Sequence, residues 1–600
     1  MVDNKPENLV ELLKLAVQRY KKAEAFKYKQ DGKWVAASSE EFYSRVKNVA
    51  LGLHQLGVSK GDHVALLGET SLLWSLTDYA ILSNGAVNIP IYPTQASHQV
   101  EYILRESQPR AIFVLQGKQL DRLRSVLERF PDLKVITPEP GDGPFIKYAE
   151  LESSGAKLNS EKPHLYDEIS SQIQPSDLAS VIYTSGTTGE PKGVMLTHHN
   201  ITFNVIQGGL TIRTDENDVA LTFLPLSHIF ERMVLYLYTH FGTTICYAES
   251  IEAVPQNLRE VRPTIMTAVP RLFEKIYDKI TKTAKAASPV KRKIFNWAMS
   301  VGLRWAQLED RGEPVSPLLE LQHKIASHLV FSKWREAVGG RIQRFISGGA
   351  ALRPDIAYAF WGAGLPIMQG YGLTETSPVI SVNTFGANRI GTVGRPLQGI
   401  EVKIAEDGEI LTKGDHVMLG YYKKPEETAS VIVDGWFKTG DIGHVDKDGY
   451  ITITDRKKDL MKLSSGKYIA PQFLEGLLQR SPYIEQAVVM GNKRKYPVAL
   501  IVPSFEAIKE FAQSNSIKFD SRSDLYKNSK VVDLIRREVD SLTKDTADYE
   551  KIKRIALLDN EFSIDGGELT PTLKVRRRVV EEKYSSLIES LYPREAAAKG

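Results

Sequence analysis

Short apolar segments alternate with helical patterns along the chain, and this alternation constrains the fold more than any other feature of the sequence. The apolar segments comprise residues 64–67, 111–114, 180–183, 219–223, 244–247 and 265–268. Alternation of strands with helices is typical of α/β proteins. The sequence therefore predicts an α/β fold with largely parallel sheets.

Residues 276–335 have a different, helix-rich pattern. A basic cluster of Lys291, Arg292 and Lys293 is followed by apolar residues at helical spacing, namely Ile294, Trp297, Val301, Trp305 and Leu308. We interpret this segment as a helical pair packed on the core. The alternative is a peripheral membrane contact, because a basic and aromatic amphipathic helix suits a lipid interface.

The pattern changes again after residue 454, where a strand-like segment runs into a charged stretch that begins at Asp455. A compact region with two further apolar segments, 487–490 and 499–502, follows. We therefore predict two domains, residues 1–454 and residues 455–600.

Composition excludes several classes of protein. The net charge of +4, from 77 Lys and Arg against 73 Asp and Glu, gives no indication of nucleic acid binding. The single cysteine, Cys246, excludes an intrachain disulfide and a cysteine zinc cluster, and it fits a reducing cytoplasm. The sequence has no signal-peptide pattern and no run of 18 apolar residues, so we expect a cytoplasmic protein without a membrane span.

The strongest local signal is a loop rich in glycine and hydroxyl groups that directly follows the apolar segment 180–183. It runs from Thr184 to Gly193 and contains Ser185, Gly186, Thr187, Thr188, Gly189 and Lys192. Glycines let backbone N–H groups turn towards an anion, hydroxyls add donors, and a lysine adds charge. The loop is not a Walker loop, because Pro191 stands in place of the second glycine and Gly193 in place of the magnesium-binding Ser or Thr. These residues predict a phosphate-binding loop of another type.

This loop resembles the signature of the adenylate-forming superfamily, which includes acyl-CoA synthetases, luciferases and peptide-synthetase adenylation domains. The other stretches of that superfamily follow in the expected order. The resemblance implies a large N-terminal α/β domain of mixed, mostly parallel sheets and a small, mobile C-terminal α+β domain.

The resemblance also implies a set of nucleotide-binding residues for ATP. Tyr371 would stack on adenine, Thr374 would contact the α-phosphate, and Asp441 would bind the ribose hydroxyls. The neighbouring residues of these motifs are Gly348, Gly349, Ala350, Gln369, Gly370 and Gly372. Thr188 and Glu375 would hold Mg²⁺, for which oxygen ligands are suitable.

Further resemblances concern the C-terminal domain. Asp455 is implied as the hinge, and Arg456 as a ribose contact. Gly466 lies in the loop that would line the tunnel for the coenzyme A thiol. Lys574 resembles the catalytic lysine of the family, whose ammonium would bridge the attacking carboxylate and the α-phosphate.

The substrate is indicated by two stretches, residues 224–232 and 268–277, that resemble long-chain fatty acyl-CoA synthetases. His228 would lie beside the acyl site. Arg232 occupies the position where many bacterial relatives have an aromatic gate, so the resemblance implies an arginine gate.

These resemblances predict a fatty acid–coenzyme A ligase that uses ATP and Mg²⁺. Three alternatives remain at this point: an enzyme with acyl carrier protein as the acceptor, an inactive nucleotide or acyl-lipid binding protein, and a luciferase-like oxidase.

Overall fold

The computed structural model describes residues 5–139, 143–184, 191–457, 460–465, 467–563, 566–569 and 575–592. The first third of the chain alternates short strands with helices, as its sequence predicts. Its strands are β1 Phe26–Gln30, β2 Lys33–Ala37, β3 His63–Leu67, β4 Val87–Ile91, β5 Ala111–Val114, β6 Lys134–Thr137, β7 Ile146–Lys147, β8 Leu178–Thr184 and β9 Lys192–Thr197. Its helices are α1 Leu9–Tyr20, α2 Ser39–Gln55, α3 Leu72–Ser83, α4 Ser97–Ser107, α5 Gly117–Leu127, α6 Tyr148–Glu161 and α7 Leu165–Ser170.

The middle third contains the helix-rich region. Its strands are β10 Val219–Thr222, β11 Thr244–Tyr247, β12 Ile265–Ala268, β13 Arg344–Ser347, β14 Ile367–Gly372, β15 Val379–Val382 and β16 Arg395–Pro396. Its helices are α8 His198–Ile212, α9 Ile229–His240, α10 Val254–Val261, α11 Pro270–Lys285, α12 Pro289–Arg311, α13 Pro317–Ala326, α14 Ser332–Ala337 and α15 Pro354–Gly362, with a π-helical segment Ser327–Phe331 and a 3₁₀ turn Thr374–Thr376.

The last third begins with small antiparallel strands and ends in a compact α+β region. Its strands are β17 Glu401–Ile404, β18 Glu409–Lys413, β19 Gly420–Tyr421, β20 Ile432–Val433, β21 Trp436–Val445, β22 Ile451–Arg456, β23 Met461–Lys462, β24 Tyr468–Ile469, β25 Ile484–Met490, β26 Val498–Pro503 and β27 Arg554–Leu557. Its helices are α16 Pro425–Val431, α17 Pro471–Leu478, α18 Phe505–Ser514, α19 Arg522–Lys527, α20 Ser529–Leu542, α21 Arg577–Lys583 and α22 Ser585–Ser590.

Two large mixed sheets organise the N-terminal region. One has nine strands in the order β16-β15-β14-β13-β12-β10-β11-β1-β2, and the other has eight in the order β19-β9-β8-β4-β3-β5-β6-β7. In the nine-stranded sheet, every pair of neighbouring strands in the stretch β14-β13-β12-β10-β11-β1 is parallel. In the eight-stranded sheet, the same holds for the stretch β8-β4-β3-β5-β6-β7. A third, antiparallel sheet contains β17, β18 and β20–β22. The predicted fold class is confirmed.

The two large sheets enclose one layer of helices. The largest apolar cluster joins side chains of both sheets to α1, α2, α3, α8 and α9. A second cluster covers the other face of the nine-stranded sheet with α11–α15, and a third covers the other face of the eight-stranded sheet with α4 and α5. Helix α9 therefore faces both sheets, which positions the site described below.

The helical pair α12–α13 shows which side of α12 packs inward. Val301 is buried, and Trp297 and Leu308 are partly buried against the second cluster. Trp305 is half-buried and stacks on His323, whereas Ile294 is exposed. The stripe predicted from the sequence therefore faces the protein from Trp297 to Leu308, as the core-packing interpretation requires, but its first residue does not. No helix among the residues listed above is long and apolar enough to cross a membrane.

The predicted domain boundary falls inside a strand. β22 continues through the predicted hinge residue Asp455, which is buried and pairs with Ile442 of β21. The C-terminal residues then form a separate three-stranded sheet, β25-β26-β27, with two apolar clusters of their own. The boundary at residue 455 stays a prediction, and strand pairing ends one residue later, at Arg456.

Candidate functional site

The candidate nucleotide residues gather where β13 and β14 end. These strands are parallel, so their carboxyl ends lie at one edge of the nine-stranded sheet, the usual position of ligands in α/β folds. Gln369, Gly370, Tyr371 and Gly372 belong to β14, and Gly348, Gly349 and Ala350 directly follow β13. Gly372 is needed for close strand approach, because a Cβ atom there would lie 1.7 Å from the Pro378 carbonyl oxygen.

Asp441 is the centre of a buried polar cluster at this edge. Its Oδ2 accepts a hydrogen bond from the Tyr371 hydroxyl at 2.7 Å, and its Oδ1 accepts one from Arg456 Nε at 3.0 Å. Asp441 is buried, and it faces Arg456 across the β21–β22 ladder. Burial raises the pKa of Tyr371 well above its ordinary value, so the phenol stays protonated and donates. The structure therefore brings together three residues whose sequence positions span 85 places from Tyr371 to Arg456.

A second cluster forms around Glu375 in the turn after β14. Its Oε1 accepts a hydrogen bond from the Tyr421 hydroxyl at 2.9 Å, and its backbone carbonyl accepts one from Met418 N–H at 2.9 Å. Glu375 is half-buried, and Thr374 precedes it in the same turn. The Glu375 carboxylate is thereby held at the edge of the sheet. An anionic ligand bound at this edge would place its own oxygens beside this carboxylate.

Lys192 extends this second cluster towards the predicted phosphate loop. Its ammonium forms an ion pair with Glu427 of α16 and lies 5.2 Å from the centroid of the Tyr421 ring. The Lys192 ammonium holds the pKa of Glu427 below its usual value. Thr184 at the end of β8 donates to the Lys192 carbonyl oxygen at 3.4 Å, which links the two strands that flank the loop.

Several predicted residues lie outside the described residues. They are Ser185, Gly186, Thr187, Thr188 and Gly189 of the loop, Gly466, and Lys574. Their predicted roles, like those of the other site residues, stay predictions.

The predicted acyl residue His228 caps the start of α9. Its Nδ1 accepts a hydrogen bond from the Phe230 N–H at 3.1 Å, and its ring centroid is 6.4 Å from that of Tyr92. Phe230 packs against the loop after β13, because a Cβ atom on Gly348 would lie 2.7 Å from its ring. Helix α9 thus connects His228 to the predicted adenine loop.

Arg232 is fixed inside the protein, where the resemblance implies a movable gate. Its guanidinium donates to Asp78 Oδ2 at 2.9 Å and to Ser180 Oγ at 2.8 Å, and its Nε also lies 2.8 Å from the Tyr236 hydroxyl. Both Arg232 and Asp78 are fully buried. In this conformation Arg232 therefore ties α9 to α3 and β8, and its predicted role as a gate remains untested.

The neighbouring residue Glu231 points the other way, towards the nine-stranded sheet. Its Oε1 accepts a hydrogen bond from the Thr222 hydroxyl, and its buried Oε2 has no hydrogen-bond partner among the described residues. Burial raises the pKa of Glu231 to about 8. At neutral pH this carboxyl group is therefore mainly protonated.

Three of these contacts were missed by sequence reasoning: Tyr421 with Glu375, Glu427 with Lys192, and Asp78 with Arg232. The partners are separated by 46 residues in the first case and by 154 in the last. A tyrosine or a single carboxylate carries no local pattern that points to a distant partner, so only the fold could bring these residues together.

Comparison with known proteins identifies the class of this protein. Residues 13–422 match the AMP-binding enzyme family, and residues 458–596 match the AMP-binding enzyme C-terminal domain. The chain therefore belongs to the AMP-binding enzyme family, and the resemblance inferred from its motifs is confirmed.

Among the curated relatives, the long-chain-fatty-acid–CoA ligase FadD15 of Mycobacterium bovis is 36% identical over 94% of each chain. The human long-chain-fatty-acid–CoA ligase ACSBG1 is 30% identical, over 96% of this chain and 84% of its own. Fatty acyl-CoA synthetase A of Dictyostelium discoideum is 31% identical, over 94% and 86%.

Solved structures show the same fold. The adenylation domain of a carboxylate reductase from Mycobacterium chelonae has a TM-score of 0.75 at 23% identity, covering 98% of this chain and 92% of that one. A fatty acyl CoA synthetase from Mycobacterium tuberculosis has a TM-score of 0.64 at 21% identity, covering 98% and 100%.

Proposed function

We propose that this protein is a long-chain fatty acid–CoA ligase that forms an acyl-adenylate and then a coenzyme A thioester. Similarity to known ligases and the arrangement of the site residues both support the proposal. Long-chain-fatty-acid–CoA ligases are similar to this chain over nearly its whole length. The observation that carries the assignment to this chain is the cluster of Tyr371, Asp441 and Arg456 beside Glu375, at the edge of the sheet where α/β folds bind nucleotides.

In the first half-reaction, a carboxylate oxygen of the fatty acid attacks the α-phosphorus of ATP, and the bond to pyrophosphate breaks. Asp441 is positioned to accept hydrogen bonds from ribose hydroxyls, since a buried carboxylate is a strong acceptor. The Tyr371 ring would lie along the adenine base. Lys192 and the hydroxyls of the loop 184–189 would hold the departing phosphates.

Magnesium suits the residues at this site. Glu375 supplies one half-buried carboxylate, and within the described ranges no group of three or more His, Cys, Asp or Glu could enclose a metal ion. That donor set matches Mg²⁺, which is usually bound by one or two carboxylates together with phosphate oxygens. When bound, the ion would neutralise charge on the phosphates, with Glu375 and Thr188 as its protein ligands.

In the second half-reaction, the thiolate of coenzyme A attacks the acyl carbonyl carbon, and the bond to AMP breaks. We propose that the C-terminal domain moves about Asp455 between the two steps. That motion would withdraw Lys574, which serves adenylation, and would bring the loop containing Gly466 to the acyl-adenylate. His228 would lie beside the acyl group throughout.

Release of pyrophosphate tests the proposal, with acids from two to twenty carbons as substrates, with and without coenzyme A. We expect activity to peak at about twelve carbons or more, since each buried methylene contributes ~0.8 kcal/mol of binding. Thioester should form only with coenzyme A. A preference for acetate or a benzoate would contradict the long-chain assignment, and transfer to acyl carrier protein alone would identify a different acceptor. No adenylation with any acid would indicate a binding protein, and oxygen uptake would indicate an oxidase.

A further inference from the structure

Helix α13 and its π-helical continuation are apolar on both sides. Leu319, Ala326, Val330 and Phe331 are buried in the cluster beneath the nine-stranded sheet. On the opposite side, four aliphatic residues at intervals of three, four and four are exposed: Leu318 by 66%, Leu321 by 56%, Ile325 by 44% and Leu329 by 48%. A row of large aliphatic side chains on a helix is normally buried against a partner. We call these four residues the α13 stripe.

Two polar residues of this helical segment face the protein, whereas Lys324 and His328 are exposed beside the stripe. Glu320 accepts a hydrogen bond from Trp305 Nε1 at 3.0 Å. His323 donates from Nε2 to the Gly362 carbonyl oxygen at 2.7 Å, and its ring stacks on Trp305 with centroids 4.3 Å apart. The helix thus directs two of its polar groups inward and leaves a row of leucine and isoleucine side chains exposed, which an ordinary surface helix avoids.

A strongly basic segment precedes α13 in the chain and includes most of α11 and the first two-thirds of α12. Residues 275–304 contain one acidic residue, Asp278, and eight exposed basic ones: Lys275, Lys279, Lys282, Lys285, Lys291, Arg292, Lys293 and Arg304. Helices α12 and α13 form an antiparallel hairpin, in which Trp305 meets His323 and Gly302 meets Phe331. The beginning of α12, with the exposed Val290 and the three consecutive basic residues, therefore extends from the end of the hairpin where Leu329 lies.

We propose that this hairpin docks on the surface of a lipid bilayer that carries anionic headgroups. The α13 stripe would enter the boundary between headgroups and acyl chains, and the basic side chains of α11 and α12 would contact lipid phosphates. Apolar residues combined with a basic surround are the pattern of helices that lie in the plane of a membrane interface. The positive charge of the basic segment favours an anionic partner, and the exposed row of aliphatic side chains favours contact with acyl chains.

The surface is separate from the nucleotide site, so the two can be tested independently. None of the stripe or basic residues contacts Tyr371, Asp441 or Glu375 through a hydrogen bond or ion pair that the structure describes. The inference does not depend on the proposed reaction, because vesicle binding can be measured without ATP, fatty acid or coenzyme A.

Co-sedimentation of the full-length protein with vesicles tests this proposal. One set of vesicles contains phosphatidylcholine alone, and the other contains phosphatidylcholine with 30 mol% phosphatidylglycerol. We expect binding to the anionic vesicles that is weakened by 0.5 M NaCl, because salt screens headgroup attraction. The double variant Leu321→Gln/Ile325→Gln and the triple variant Lys291→Glu/Arg292→Glu/Lys293→Glu should each lower the partition coefficient by about tenfold or more.

Matched controls distinguish this surface from general effects of composition. Val433→Gln/Phe473→Gln changes two comparably exposed apolar residues elsewhere, and Lys518→Glu/Lys527→Glu/Lys530→Glu makes the same change in net charge on the C-terminal domain. Both controls should bind within about twofold of the unaltered protein, with thermal midpoints preserved in all variants. The proposal is overturned if the unaltered protein does not bind anionic vesicles, or if the control variants lose binding as strongly. It is also overturned if the stripe variants keep full binding and instead convert a dimer into a monomer, which would identify a second copy as the occupant.

Discussion

The guanidinium of Arg232 and the carboxylate of Asp78 form a fully buried, two-point ion pair, with Nε–Oδ2 and Nη2–Oδ1 distances of 2.9 and 2.5 Å. The pair joins α9 to α3, and Ser180 and Tyr236 complete its hydrogen bonds. It lies one helical turn beyond His228. The residue that the resemblance implies as a gate therefore links two helices of the central layer in this conformation, and its role as a gate stays a prediction.

The first prediction concerns this ion pair. Arg232→Met leaves the Asp78 carboxylate buried without its partner, and we expect a loss of about 3–5 kcal/mol in the free energy of unfolding. The double variant Arg232→Met/Asp78→Leu should lose much less, because no charge remains buried. Denaturant unfolding of both variants measures the difference. If Arg232 instead acts as a gate, Arg232→Met will leave stability unchanged and will alter the chain-length profile of activity.

The second prediction concerns pH and Glu231. Burial raises its folded-state pKa to about 8, against 4.5 as its ordinary value. Between these two values the folded protein binds more protons at this site than the unfolded chain does. Stability therefore falls as pH rises through this window, by at most ~1.4 kcal/mol per pH unit.

Glu231→Gln removes this titration while keeping the size of the side chain. Melting temperatures of the variant and the unaltered protein should be close at pH 5 and should separate by pH 8, with the variant becoming relatively more stable. Parallel curves across the window would mean that Glu231 is ionised in the folded protein at neutral pH.

The third prediction concerns Asp441. Asp441→Asn removes the negative charge that Arg456 faces and weakens the proposed ribose contact. Hydrogen bonds to charged groups contribute about 1.5–3 kcal/mol, so we expect adenylation at limiting ATP to fall by roughly 10- to 100-fold. Asp446→Asn, directly after β21 and in a surface ion pair with Arg389, is the matched control and should change little. Equal effects of the two variants would exclude a nucleotide role for Asp441.

The fourth prediction concerns Lys574. Loss of a single electrostatic stabiliser commonly costs about 10²–10³ in rate. Lys574→Ala should therefore slow formation of the acyl-adenylate by at least that factor, measured by pyrophosphate exchange. Given synthetic acyl-adenylate and coenzyme A, the same variant should form thioester at close to the normal rate. Equal losses in both assays would contradict domain alternation, and unchanged adenylation would leave Lys192 as the next candidate.

The sequence by itself determined the local elements and the motifs. The predicted strands at 111–114, 244–247 and 265–268 coincide with β5, β11 and β12. Their apolar residues and the residues that flank them are close together in the sequence, so the local pattern is enough to predict these strands. The phosphate loop and the stretch around Tyr371 were recognisable for the same reason. Thr197 caps α8, which begins at the adjacent pair His198–His199.

Only the tertiary structure decided which distant residues meet and which faces remain open. The pairing of Asp78 with Arg232 and of Tyr421 with Glu375 depends on how α3, α9 and β19 pack. The sequence singled out the apolar face of α12 as the candidate for membrane contact, whereas packing covers that face from Trp297 to Leu308 and leaves the aliphatic residues 318, 321, 325 and 329 exposed. Helical periodicity shows that a face is apolar, but burial depends on what packs against it, and that partner is supplied by parts of the chain far away in sequence.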